Sequence, residues 1–127
     1  MSMQYELQPL RIISGWTVAF NSFYECNPED CEEFWSYFNE DLLQLKHREH
    51  DLLIDLGWYP DGDRDGAYIL NIVQYGNWRK PLEVVRSRDK KLIIEKIELW
   101  TNYNFFSKYI AEDGEKFTDF DRPEAEI

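Results

Sequence analysis

The chain has 127 residues, 43% of them apolar and 17% aromatic, and a formal net charge of −11. That length suits a single domain with a real core, and no apolar run approaches the ~20 residues of a membrane span. The surplus of acids argues against nucleic-acid binding, whose footprint is a basic face; it is compatible with a basic protein partner, which such a field would attract and steer, and equally with plain solubility.

The acids are unevenly spread. From Glu25 to Asp41 there are seven and no Lys or Arg, and from Glu112 onward seven more stand against Lys116 and Arg122. Seven of the fourteen basic residues fall between Arg79 and Lys96. The start, Met1 to Glu6, has neither a basic nor an apolar leader stretch, so a cytoplasmic setting is the expectation. Cys26 and Cys31 are too few for a disulfide scaffold; reduced thiols are expected, with a local disulfide as the alternative.

In chain order, a first strand is expected from near Arg11, restarting after Gly15. Trp16, Val18 and Phe20 alternate with Thr17, Ala19 and Asn21, and the pattern runs on through Phe23 and Tyr24. Asn27-Pro28-Glu29-Asp30 then reads as a helix start, with Asn27 as cap and Pro28 at the first position. Cys31, Phe34, Trp35 and Phe38 follow at i, i+3, i+4 and i+7, a buried stripe for a helix ending near Asn39. Leu42 to Leu45 reads as a short strand paired across the polar loop Lys46–His50 with a strand over Leu52 to Trp58. After an acidic loop, Tyr68 to Val73 is apolar on both faces and so belongs in the sheet interior. Leu82 to Arg86, preceded by Pro81, suits an edge strand. A second helix follows, capped by Ser87 or Asp89, with Ile93, Ile97 and Trp100 on its buried face. Lys90 and Lys91 sit in its first turn, where the dipole disfavours them, which suggests pairing with the acidic parts of the chain.

The expected architecture is therefore α+β: an antiparallel sheet of four to five strands with two helices packed on one face, in the order β-α-β-β-β-β-α. Residues 1–110 form the domain. Residues 111–127 form an acidic, partly disordered tail, and the aromatics Phe105, Phe106, Tyr109, Phe117 and Phe120 are expected to dock it on the body.

No residue set carries recognisable catalytic chemistry. The loop Asp61-Gly62-Asp63-Arg64-Asp65-Gly66 opens like a calcium loop, but position 12 is Ile72 instead of a bidentate Glu, and the flanks read as strands. Turn geometry explains its Asp and Gly residues better. His47 and His50 are three apart in a loop, the wrong spacing for a zinc-protease pair. The sequence thus assigns no catalytic residue, no metal site and no cofactor. Asp55 interrupts an apolar strand on the face it shares with Leu53, Gly57 and Tyr59. Either that face is exposed, which is the expectation, or Asp55 is buried with a donor and a perturbed pKa.

Two runs carry a resemblance: Ser14-Gly15-Trp16-Thr17-Val18 leading to Asn21-Ser22-Phe23-Tyr24-Glu25, and Leu53-Ile54-Asp55-Leu56-Gly57-Trp58-Tyr59-Pro60 with Asp61-Gly62-Asp63 after it. Over residues 11 to 104 the chain resembles small uncharacterised bacterial domains, some of them similar to the immunity proteins of toxin–immunity systems. The resemblance implies an acidic domain that neutralises a basic toxin by binding it, and it transfers no functional residue. Glu29, Asp30, Glu32, Glu33, Asp55, Tyr59, Asp61, Asp63 and Asp65 are the expected partner-binding residues. Two other classes stay open: a small-ligand binder or enzyme with a cleft beside Asp55, Tyr59 and Asn71, and a homo-oligomeric structural protein such as a homodimer.

Overall fold

The computed structural model describes residues 5–116. It contains β1 (Trp16–Asn21), α1 (Phe34–Tyr37), β2 (Leu43–His47), β3 (Leu52–Tyr59), β4 (Ala67–Gln74), β5 (Glu83–Ser87), α2 (Lys90–Trp100) and α3 (Tyr103–Lys116). All five strands pair antiparallel in chain order, β1-β2-β3-β4-β5. The α+β architecture and the edge position of the last strand follow the sequence pattern.

Directly opposed residues of a ladder project to the same face. Leu52, Ile54, Leu56 and Trp58 therefore share a side with Gln74, Ile72, Leu70 and Tyr68 of β4, and Leu43, Leu45 and His47 of β2 join them. This face makes one apolar cluster with Phe34, Phe38, Ile93, Ile97, Trp100 and Phe106, so all three helices cover the same side. No helix among the described residues packs on the opposite face, which carries Lys46, Leu53, Asp55, Ile69, Asn71, Val73, Val84 and Arg86, yet Val73 is fully buried there.

Strand β1 departs from the expected alternation. A register shift lies between Val18 and Phe20, so Val18 stands opposite Leu45 but Phe20 stands opposite Gln44. One extra residue flips the rest of a bulged strand to the other face. Phe20 thus leaves the helix side and is 44% exposed.

The helix expected over 27–39 is a single turn. Asp30 N–H donates to Asn27 O in a turn, and Glu33, the residue before α1, adopts φ 54°. The cause is tertiary. Phe34 and Phe38 stack at 4.2 Å and seat on the Trp58 ring at 5.4 and 4.9 Å. The Cys31 carbonyl, which a continuous helix would offer to the Trp35 N–H, accepts from Arg64 Nη2 at 3.3 Å instead. A few residues of helix are marginal on their own, so these contacts decide. Trp35, placed on the buried stripe by its spacing, is 71% exposed.

Helix α2 begins as expected: the Asp89 carboxylate accepts from Lys91 N and Leu92 N at 3.0 and 3.3 Å, a cap worth about 1 kcal/mol. The misplaced Lys90 turns inward to carbonyls rather than to carboxylates. Its Nζ donates to Tyr24 O at 2.7 Å and Cys26 O at 3.1 Å, over the Phe23 ring. Burial lowers its pKa, opposed by the neighbouring Cys26 and Glu25. Lys90 is thus a pin for the segment leaving β1, beside the buried free thiols of Cys26 and Cys31. A third helix, α3, was not foreseen and runs to Lys116. Asn102 Oδ1 caps it by accepting from Asn104 N at 2.8 Å, and Phe106 packs edge-on against Trp16 and His47. Phe117, Phe120 and the remainder of the expected tail lie outside the described residues. No helix among the described residues is long and apolar enough to cross a membrane.

Candidate partner-binding surface

The two acidic segments meet at one end of the sheet. The segment 27–41 connects β1 to β2, and the loop 60–66 connects β3 to β4, so both leave the same end of the ladder. Backbone bonds then lock them together. Gly62 N–H donates to Phe38 O at 2.7 Å, and Glu40 N–H donates to Asp61 Oδ1 at 3.1 Å. Arg64 reaches back over the Phe34 ring, 4.8 Å from its centre, to the Cys31 carbonyl. The backbone of Trp35 abuts Gly62.

The loop carboxylates hold the loop itself. Asp63 Oδ1 accepts from Asp65 N at 2.8 Å, while the Asp63 carbonyl accepts from Trp58 Nε1 at 2.7 Å. Gly62, at φ 68°, supplies the left-handed turn between them. This is the turn chemistry that the sequence favours over a calcium loop. Among the described residues no group of three or more His, Cys, Asp or Glu side chains is placed to hold a metal ion.

Glu29, Asp30, Glu32, Glu33, Asp61, Asp63 and Asp65 are all exposed at this end, and Glu40 and Asp41 join them. Among the described residues none of these carboxylates stands within 4.0 Å of a lysine or arginine; the one acid–base contact, His50 with Glu49 at 4.0 Å, is at the other end of the sheet. Two arginines, Arg64 and Arg88, lie at the acidic end; both are exposed, and Arg64 lies over the Phe34 ring. Arg88 sits over the Trp58 ring and donates to the Gly66 carbonyl. Nine carboxylates therefore share this end with an exposed Trp35, and of these Glu29 lies in a cleft beside Arg88, Lys90 and Lys91. Sequence reasoning missed Trp35 because its i, i+4 spacing matches a buried stripe. The αL residue that turns it outward has no signature in a run of glutamates.

Asp55 and Tyr59 do not join this surface as expected. Asp55 is only 8% exposed, although it projects to the face opposite the helices. It pairs across the ladder with Gln44 and Asn71, and its carboxylate accepts from Gln44 Nε2 at 3.0 Å. Tyr59 is half-buried; its ring lies across Gly57 and its hydroxyl donates to Glu40 O at 3.4 Å. Burial raises the Asp55 pKa, the Gln44 hydrogen bond opposes this, and Asp41 adds to it. Burial also raises the Tyr59 phenol, reinforced by Asp55, Glu40 and Asp41. Among the described residues, surface clefts open at Thr17, Lys46, Arg48 and Leu53 and at Asn27, Glu29, Arg88 and Lys91. Asp55, Tyr59 and Asn71 line neither.

A folded pKa above the unfolded one means stability that is full below the unfolded value, near 3.8, and lost as pH rises through the folded value. Asp55→Asn keeps the shape and the Gln44 contact but removes the charge. Its expected outcome is a higher urea midpoint than wild type at pH 7, with the gap closing below about pH 3.8. Equal midpoints at both pH values would show that Asp55 is well solvated.

No protein-family model, no curated protein and no solved structure matches this chain.

Proposed function

We propose that the protein is a binding domain whose acidic end docks on a basic protein surface, and that it works in the manner of an immunity protein, covering and neutralising the protein it binds. The observation that carries this reading is the joining of the 27–41 and 60–66 segments into one acidic end that carries the exposed Trp35 and has no lysine or arginine ion pair among the described residues. Unpaired like charges at one end repel each other and are costly to keep, but they give a fast, salt-sensitive approach to a cation-rich partner. An exposed tryptophan supplies what charge alone does not, since aromatic anchors at the centre of an interface carry much of its binding energy.

The test compares variants against captured partners. Wild-type protein immobilised at low salt should retain a basic protein from its source cells and release it at high salt. Trp35→Ala should weaken that complex by ~30-fold or more, on the scale of an aromatic hot spot. Neutralising Glu29, Asp30, Glu32 and Glu33 together should act mainly on the association rate, lowering it by about tenfold. None of these five side chains makes a side-chain hydrogen bond among the described residues, so the variants should melt no lower than wild type. Recovery of no basic protein, or of one bound equally well by both variants, would refute the reading.

A further inference from the structure

The end of the sheet opposite the acidic loops is built on other terms. There the β2–β3 turn and the β4–β5 connection lie side by side: Tyr75 N–H donates to Asp51 O at 3.0 Å, and Gln74 Nε2 donates to His50 O at 3.1 Å. Asp51 and Tyr75 hold φ values of 52° and 56°, a conformation uncommon for residues that carry a side chain. Such placements persist where the surroundings enforce them, and they concentrate at sites that must be held in shape. Beside these two residues opens a cleft of about 390 Å³ lined by Thr17, Lys46, Arg48, Asp51, Leu53 and Gly76, among others. That volume lies in the range of small-molecule sites, roughly 300–1,000 Å³.

Its lining has a definite chemistry. Lys46 stands between Thr17 and Leu53 on the face of the sheet opposite the helices. Lys46 and Arg48 are both exposed, and neither side chain makes a hydrogen bond or ion pair among the described residues, in a chain with 25 acids for 14 lysines and arginines. Leu53 gives the cleft an apolar floor. A Cβ at Gly76 would meet nothing within 4 Å, so that wall is open to a ligand.

We propose that this cleft binds a small organic anion: a carboxylate or phosphate head on a short apolar body. Lys46 and Arg48 hold the head, the guanidinium matching its paired oxygens. The Thr17 hydroxyl is the neutral donor, and Leu53 takes the apolar part. Asp51 in the lining, together with the net charge of −11, turns away polyanions such as nucleic acid. This site is independent of the acidic end, and neither depends on the other being occupied.

The test titrates the isotope-labelled full chain with benzoate and phenyl phosphate at physiological salt, with inorganic phosphate as the head alone. The expected result is saturable amide shifts from Lys46 to Leu53 and at Gly76, with at least one aromatic anion binding ~tenfold tighter than inorganic phosphate because of the apolar floor. The preferred probe identifies the head. Lys46→Gln with Arg48→Gln should weaken binding by ~tenfold or more while leaving the melting temperature unchanged. The proposal is overturned by the absence of saturable shifts at millimolar probe, by unchanged affinity in the double variant, or by shifts spread equally over Arg79, Lys80 and Lys91.

Discussion

Gly57→Ala should destabilise the protein by about 3 kcal/mol, the upper range for an inserted methyl with no room. The reason is contact rather than conformation. A Cβ at Gly57 would land on the Glu40 carbonyl and 2.8 Å from Tyr59 Cε2. The segment 39–42 crosses β3 at this point. It is held there by Trp58 N–H to Asn39 O at 2.9 Å and Leu42 N–H to Leu56 O at 3.0 Å. A methyl group would lift the crossing and strain both bonds. Gly62→Ala is the matched control: its Cβ would meet Trp35 atoms at an ordinary 3.6 and 3.7 Å, but its φ is +68°. It should lose only the conformational cost, roughly 1 kcal/mol. Urea titrations of the pair separate the two causes. If Gly57→Ala loses no more than Gly62→Ala, the crossing is not tightly packed.

Trp58→Ala should be comparably severe, on the order of 4 kcal/mol, which is a large part of the total stability of a domain of this size. Trp58 is fully buried, with Phe34, Phe38 and Tyr68 around its ring at 5.4, 4.9 and 5.0 Å. It is the common seat of α1 and of β4, so its loss opens a cavity between them. Trp58→Phe should cost only ~1–2 kcal/mol. It gives up the indole N–H bond to Asp63 O, but that carbonyl still accepts from Gly66 N–H at 2.9 Å. The two variants should also differ locally: hydrogen exchange at 61–66 should rise in Trp58→Phe while the strands stay protected. Uniform exchange would mean the indole does not anchor the acidic loop.

The strands were legible because a two-residue period writes burial directly into the sequence. Leu52, Ile54, Leu56 and Trp58 alternate, and all four are buried. Helix α2 was legible for the same reason at its own period, with Ile93, Ile97 and Trp100 inward and Asp89 as the cap. What was illegible depended on one residue out of step. The bulge before Phe20 reverses a face, and period counting has no means to see an inserted residue. Glu33 in the left-handed region ends the expected helix before its stripe begins to act, and Trp35 is turned outward in consequence. Asp55 was illegible for another reason. Its burial comes from its neighbours Gln44 and Asn71 on the adjacent strands, a property of register and not of β3 itself. For the candidate surface, the sequence supplied the carboxylates, but only the Gly62–Phe38 and Glu40–Asp61 bonds show that distant runs share one end.

The strands are laid down in the order in which they are made, yet the groups that close them come last. Trp16 Nε1 donates to Thr101 O at 3.0 Å, Arg11 N–H to Glu98 Oε2 at 2.9 Å, and Lys90 Nζ to Tyr24 and Cys26. The first strand is thus fastened by residues some 85 positions later. During synthesis the apolar side of the sheet, with Leu45, Ile54, Leu56 and Ile72, stays bare until α2 and α3 have left the ribosome. The domain therefore completes its fold only after α2 and α3 have been made, and in that interval a growing chain presents to chaperones the face that these helices later cover.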